Sequence, residues 1–473
     1  MNEEGARWAT GEELGAGGWF DASGWPLGRS AYGPVFMPSI MQEASGVVIA
    51  PPGAGKSRGV LVPALLSEAS HAQQARRSLV VVDPVGELYR LTARTLARTH
   101  RILVWNPARP RLSNTYFDPL AYLGTPYDSL FESRCENAAA NWHTALAGDQ
   151  GGRLRGESYW DTQPIAALTG LIIARVATMP GTTMADLAAH VLPMTSEALY
   201  KEVAGSTHAG ARRRAAVLAD LLKNEKAVSG VFGELRRRLL LAVSPTVVKT
   251  IGRPSLDVGD LLDRPTVLYL QVGTGEQTLL PLLSVALSTV IAQLLRLTGA
   301  GRSLGRHVRV IIDELQNIGE LYGLKTSINT LRKYGVGFLL ATQTRAGLYA
   351  VYGEGVGNAI IGACNTLIGL GGLAPEDAEW FSDQLGRRDW QEMAVDRTWH
   401  VHSLRVPMNP LVGSPGSGSF TLPIPYARGH KRYERRHAPL IAPDALRAMD
   451  KAMVVVPTRM RPFECALQLY TGD

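Results

Sequence analysis

The run AlaProProGlyAlaGlyLysSer at residues 50–57 has the residue types and spacing of a loop that holds a nucleotide's phosphates. It follows the strand-like ValValIleAla and precedes a helix-like stretch, Arg58 to Ser67. A loop so placed turns successive backbone N–H groups toward phosphate oxygens, and the following helix N-terminus adds a favourable field. Gly53 and Gly55 permit close approach, and Pro52, Ala54 and Arg58 complete the loop and its exit. Lys56 would reach the β- and γ-phosphates of ATP, and the Ser57 hydroxyl would ligate Mg²⁺. One position departs from the P-loop pattern, with Ala50 where a glycine is usual. A methyl group at a strand end need not close the loop.

Hydrolysis needs two further groups: a carboxylate at a neighbouring strand end to hold the metal, and a base to orient the attacking water. ValIleIleAspGlu at 310–314 provides both, Asp313 for the metal and Glu314 as general base. Asp83, closing LeuValValValAsp, competes for the metal role. Pro84 follows it instead of a second carboxylate, so Asp313 and Glu314 are preferred, and Asp83 reads as a turn residue feeding the Pro84–Gly86 bend. Gln343 ends the next strand-like run, GlyPheLeuLeuAlaThrGln, and is a candidate to hydrogen-bond the γ-phosphate or the water. Arg332 and Lys333 lie between these two runs, where a cation could enter a neighbouring subunit's site and stabilise charge on the γ-phosphoryl. A solvated pair at a helix end explains them equally well.

Positioning these groups takes a buried sheet. Apolar runs recur at Val47–Ala50, Leu79–Val82, Ile102–Trp105, Val267–Val272, Val308–Ile312, Val336–Ala341, Leu367–Leu370 and Met453–Val456. Such runs suit parallel strands covered by helices on both faces. Residues 125–248 are poor in them and show helical patterns instead: Trp160–Met179, Met184–Val191, Ser196–Val203, and Gly210–Val243 broken near Ser229–Gly230. The expected fold class is therefore α/β: a P-loop domain with a mostly parallel sheet, in parts 45–124 and 249–473, interrupted by an all-α domain at 125–248. Residues 1–44 lack a clear period, and residues 409–429, rich in Pro, Gly and Ser, read as a surface loop. There is no internal repeat.

Composition narrows the class. The 473 residues carry 49 Lys and Arg against 42 Asp and Glu, a net charge of +7, and 45% are hydrophobic. A disordered or collagen-like chain is excluded. Three scattered cysteines, Cys135, Cys364 and Cys465, exclude a disulfide framework and fit a reducing compartment. Leu279–Leu297 comes nearest to a membrane span, but Ser284, Ser288, Thr289 and Gln293 make it a buried core helix. No signal peptide is expected.

Taken in order, the motifs resemble those of the type IV secretion coupling proteins, the TraG/TraD-type conjugation ATPases. ArgTrpAlaThr (7–10) with ProLeuGlyArg (26–29) looks like the segment just after that family's membrane helices. ValValAspProValGlyGluLeu (81–88) resembles its Asp-Pro-x-Gly-Glu element, and AsnThrTyrPheAspProLeu (114–120) is a looser version of its Asn-Pro-Leu stretch. GluSerTyrTrp (157–160) looks like the first helix of its inserted domain. IleIleAspGluLeuGlnAsnIle (311–318), ArgLysTyrGly (332–335) and AlaThrGlnThr (341–344) follow in the family's order, as do AlaProGluAspAlaGlu (374–379) and AlaProLeuIleAlaProAspAlaLeuArg (438–447).

The resemblance implies a RecA-like domain that binds ATP and Mg²⁺ between the subunits of a homo-hexamer, with Arg332 acting in trans. The all-α domain would help select DNA–relaxase or protein substrates for the secretion channel. The place implied is the cytoplasmic face of the inner membrane. Because the first residues look like a post-membrane segment, this chain is expected to be the soluble part of an anchored protein, either truncated or tethered by a partner. Two rivals remain: a FtsK/HerA-type DNA pump, which the large helical insert disfavours, and a substrate-recruiting adaptor whose hydrolysis is incidental.

Two basic clusters could meet DNA phosphates. One is Arg212–Arg214 with Lys223, Lys226 and Arg236–Arg238, partly offset by Asp220, Glu225 and Glu234; the other is ArgGlyHisLysArgTyrGluArgArgHis at 428–437. Only their summed field would count, because charge runs are usually solvated faces.

Overall fold

A computed structural model describes residues 6–22, 24–38, 45–71, 77–147, 159–299, 307–407, 419–458 and 460–471. The chain divides into two compact units, one of residues 8–378 and 443–473 and the other of residues 1–7 and 379–442.

The larger unit is organised by strands β1 (Trp25–Ser30), β2 (Gly33–Met37), β3 (Gly46–Ile49), β4 (Ser78–Asp83), β5 (Arg101–Trp105), β6 (Thr266–Gln271), β7 (Val308–Ile312), β8 (Val336–Thr342) and β9 (Thr366–Leu370). The smaller unit holds β10 (Arg387–Pro407) and β11 (Ser419–Pro439), and the larger resumes with β12 (Ala452–Pro457) and β13 (Phe463–Leu467). Eleven strands form one sheet in the order β2-β1-β13-β12-β9-β3-β8-β7-β4-β6-β5. From β9 to β5 every neighbouring pair is parallel. From β9 through β12, β13 and β1 to β2 every pair is antiparallel.

All eight apolar runs read from the sequence are strands of this sheet. Every residue of β3, β4, β6, β7 and β8 is buried. Continuous burial of Val, Ile and Leu is what a parallel sheet covered on both faces demands. β3 lies between β8 and β9, far from its sequence neighbour β4. Reversals of strand order of this kind open a crevice at the carboxyl ends of the strands, where ligands of α/β sheets bind.

The helix Pro281–Gly299 is long and apolar enough to cross a bilayer, yet 72% of its most apolar window is buried. Its Ser284 hydroxyl donates to the Ile318 carbonyl at 2.9 Å, which ties this core helix to the segment after β7. Between β5 and β6 run the helices Phe131–Ala145, Tyr159–Thr178, Met184–Val191, Ser196–Ala204, Ala209–Leu222 and Glu225–Leu239. The break expected at Ser229–Gly230 falls instead at Lys223–Asn224, where the Asn224 carbonyl accepts from Val228 N–H and opens the second helix. Ser229 and Gly230 sit inside that helix, because one glycine costs only about 1 kcal/mol there. The start of the motif at 157–160 lies outside the described residues.

Two other expectations need correction. Residues 1–44, which show no period, contain the helix Gly11–Ala16 and strands β1 and β2. ProLeuGlyArg is the body of β1, and an ideal Cβ on Gly28 would stand 2.1 Å from the Ala466 carbonyl oxygen across the ladder. Close strand approach explains that glycine. In the supposed surface loop 409–429, residues 419–429 belong to β11, while 409–418 lie outside the described residues. Pro423 and Pro425 misled the reading. A strand with a single partner tolerates proline wherever its N–H would point away from the ladder.

Candidate nucleotide-binding and hydrolysis site

The phosphate loop leaves the C-terminal end of β3. Gly53 and Gly55 have φ of 81° and 92°, left-handed values that other residues adopt only with strain. Around Gly53 an added Cβ would meet nothing within 4 Å, so the loop's outer side is open to a ligand. At Gly55 a Cβ would collide with Leu467 and Leu469, and Tyr470 N–H donates to the Arg58 carbonyl at 3.0 Å. Residues 467–470 thus back the loop. After it comes a wide π-helical turn, Ser57–Leu61, and then the helix Val62–Ser70.

Lys56 is only 6% exposed. Its Nζ lies 3.6 Å from Asp313 Oδ1 and 4.0 Å from Glu314 Oε1. The Ser57 hydroxyl donates to Asp313 Oδ2 at 3.1 Å. Burial raises the Asp313 pKa, and Lys56 opposes that rise. Asp313 Oδ1 is buried without a hydrogen-bond partner. An orphaned carboxylate oxygen beside a serine hydroxyl is a hard oxygen donor set, which fits Mg²⁺.

Glu314 sits just past β7 with φ 54° and ψ 55°, a left-handed conformation rare for a glutamate. Its Oε1 accepts from Gln343 Nε2 at 3.2 Å, and its Oε2 accepts from Asn317 Nδ2 at 2.7 Å. Next to these, the Thr342 hydroxyl donates to Gln316 Oε1 at 2.9 Å. The structure therefore gathers Lys56, Ser57, Asp313, Glu314 and Gln343 at the carboxyl ends of β3, β7 and β8. Asn317 and Gln316 were missed as site residues, although both stand within the quoted motif at 311–318.

Asp83 ends β4, beside β7. Its Oδ1 accepts from Gly86 N–H at 2.9 Å and its Oδ2 from Tyr89 N–H at 2.8 Å, so it closes the bend and starts the helix Glu87–Leu96. Burial, with nearby Asp313 adding, pushes its pKa up to about 7. Arg58 Nε meets Glu87 Oε1 at 3.3 Å, which links the loop exit to that same helix. Arg332 and Lys333 are exposed in the single turn Arg332–Tyr334, between the helix Leu324–Leu331 and β8.

Basic residues of the helical insert are largely engaged within it. Arg213 and Arg214 pair with Glu132, and Arg214 also with Glu136. Arg212 donates to the Ser206 and Thr207 carbonyls, and Arg236 to that of Met194. Arg237 and Arg238 pair with Glu234, whose pKa falls to about 2.

A RecA-like sheet with a glycine loop, a buried lysine and a serine–aspartate pair at its switch point defines a P-loop nucleotide-binding protein. The chain belongs to the type IV secretory system conjugative DNA transfer family, whose model matches residues 7–401. It is similar to the VirD4 protein of Rhizobium radiobacter, 23% identical over 369 residues, covering 74% of this chain and 50% of that one. VirD4 of Agrobacterium fabrum is 24% identical over 370 residues, covering 74% and 51%. The chain thus spans about half the length of the curated relatives it matches. Among solved structures, the conjugative coupling protein TrwB with sulphate shares the fold at a TM-score of 0.72, with 16% identity, 99% of this chain and 95% of that one. TrwB with ADP and Mg²⁺ gives 0.70, with 16% identity, 99% and 94%.

Proposed function

We propose that this chain is the ATP-hydrolysing part of a coupling protein that brings DNA–relaxase or protein substrates to a type IV secretion channel and drives their passage. The observation that carries the reading is the meeting of Lys56, Ser57, Asp313, Glu314 and Gln343 at one crevice. Lys56, Ser57 and the amides of the Gly53–Gly55 loop would hold the phosphates, and Ser57 with Asp313 would hold Mg²⁺. When bound, Mg²⁺ neutralises charge developing on the phosphoryl oxygens. Glu314 would accept the proton of the attacking water at a carboxylate oxygen, and Gln343 and Asn317 aim that carboxylate. Membership of the family, together with VirD4 and TrwB as relatives, supports the secretion role.

The finer reading follows the resemblance. Six copies would form a ring, with Arg332 of one copy facing its neighbour's γ-phosphate. The helices between β5 and β6 would meet substrates, at the cytoplasmic face of the inner membrane.

Phosphate release measured with and without single- and double-stranded DNA tests the proposal. Turnover that rises with DNA and vanishes in Lys56→Ala supports the motor. Nucleotide-dependent ring formation with negligible turnover would instead leave an adaptor, and wild-type turnover in Lys56→Ala would remove the mechanism.

A further inference from the structure

The smaller unit carries a feature that ATP chemistry does not use. β10 and β11 pair antiparallel from Arg387↔Pro439 to Pro407↔Ser419, each 21 residues long. At the usual strand rise the ribbon reaches about 70 Å. Residues 387–439 contain nine Lys and Arg against four Asp and Glu, so +5 of the chain's +7 resides there. The four acids lie in the half nearer the base: beyond the Asp396↔His430 pair the two strands carry Arg397, Arg405 and Arg428 and no Asp or Glu.

The far end has a second asymmetry. Residues paired across an antiparallel ladder share a face, and the faces alternate along each strand. Leu404 pairs with Leu422, Val406 with Phe420 and His402 with Ile424, so five apolar positions gather on one face near the end. Leu404 is 53% exposed. The opposite face at that level holds Ser403, Arg405, Thr421 and Pro423. Next inward come Val401↔Pro425, then His400↔Tyr426 on the apolar face and Trp399↔Ala427 on the opposite one, which put aromatic residues behind the apolar end.

We propose that this ribbon end is a lipid-docking element for an anionic membrane surface. The apolar positions enter the headgroup–acyl boundary, the aromatics lie at the level where Trp and Tyr favour the interface, and the acid-free basic shaft faces anionic headgroups. Charge complementarity selects the anionic bilayer, and the four aliphatic positions Leu404, Val406, Leu422 and Ile424, clustered on one face, favour an acyl boundary over a nucleic acid.

The test is co-sedimentation of the full chain with phosphatidylglycerol–phosphatidylethanolamine vesicles and with phosphatidylcholine vesicles. The chain should bind the anionic vesicles, release them in high salt and leave the neutral ones. Leu404→Ser with Leu422→Ser should weaken vesicle binding about tenfold or more. Arg405→Glu, on the opposite face, should weaken it about fivefold or more. Both variants should keep nucleotide affinity, which shows that the larger unit is folded. The proposal fails if anionic vesicles are not bound, or if binding is unchanged in both variants. It also fails if the variants lose affinity for labelled single- or double-stranded oligonucleotides while keeping that for vesicles.

Discussion

Replacing Glu314 by glutamine separates chemistry from architecture. Glu314 is held in a left-handed conformation that costs a non-glycine residue about 1–2 kcal/mol. Glutamine incurs the same cost, so the backbone term cancels. The amide keeps one acceptor oxygen, so one of the two bonds from Asn317 and Gln343 is lost, along with the 4.0 Å contact to Lys56. A net hydrogen bond contributes about 1 kcal/mol, and a partly exposed ion contact less than about 1. The stability loss is therefore about 1–2 kcal/mol. A positioned general base contributes about 10²–10⁴ in rate, or roughly 3–5 kcal/mol of barrier. Chemistry should suffer more than folding. Glu314→Gln should bind a fluorescent ATP analogue normally while phosphate release at saturating ATP falls at least about a hundredfold. Full turnover would place the base elsewhere; lost nucleotide binding would show that the residue is structural.

Other outcomes follow from the same geometry. Arg332→Ala should be inactive alone yet restore turnover in mixed assemblies with Glu314→Gln, and failure of that complementation would argue against action in trans. The depressed pKa of Glu234, held down by Arg237 and Arg238, adds stability above the ordinary value of 4.5 that drains away as pH falls toward about 2. Denaturant midpoints should therefore fall less steeply with acidification in Glu234→Gln than in the wild type. Gly28→Ala would drive a methyl group into the Ala466 carbonyl, at a cost of about 1–3 kcal/mol or more. Its melting temperature should drop, and an unchanged value would mean that β1 and β13 part easily.

The parallel half of the sheet was legible because its strands are buried on both faces. β4 and β8 are uninterrupted apolar runs, and such runs announce themselves. Of the antiparallel edge only β12, itself an apolar run, was legible. β1 is interrupted by Pro26 and Gly28 with a bulge between them, and β13 alternates buried and exposed residues over only five positions. The ribbon hid for a different reason: its stability comes from its own cross-strand ladder, so neither strand needs an apolar run. At the site, charge pairs at strand ends revealed Asp313 and Glu314. Asn317 and the left-handed backbone at Glu314 depend on how the chain turns after β7, and no periodicity encodes that.

The backing of the phosphate loop by residues 467–470 bears on when the loop can form during synthesis. β3 takes its ladder partners from β8 and β9, and Gly55 and Gly59 rest against Leu467. The loop is made roughly 400 residues before Leu467, an interval on the order of half a minute at ordinary elongation rates. Through that interval the nascent chain carries the glycine loop without the wall that shapes it. Competence for nucleotide waits on residues 467–470, and a chain cut short before Leu467 carries the motifs of the phosphate site without the wall behind its loop.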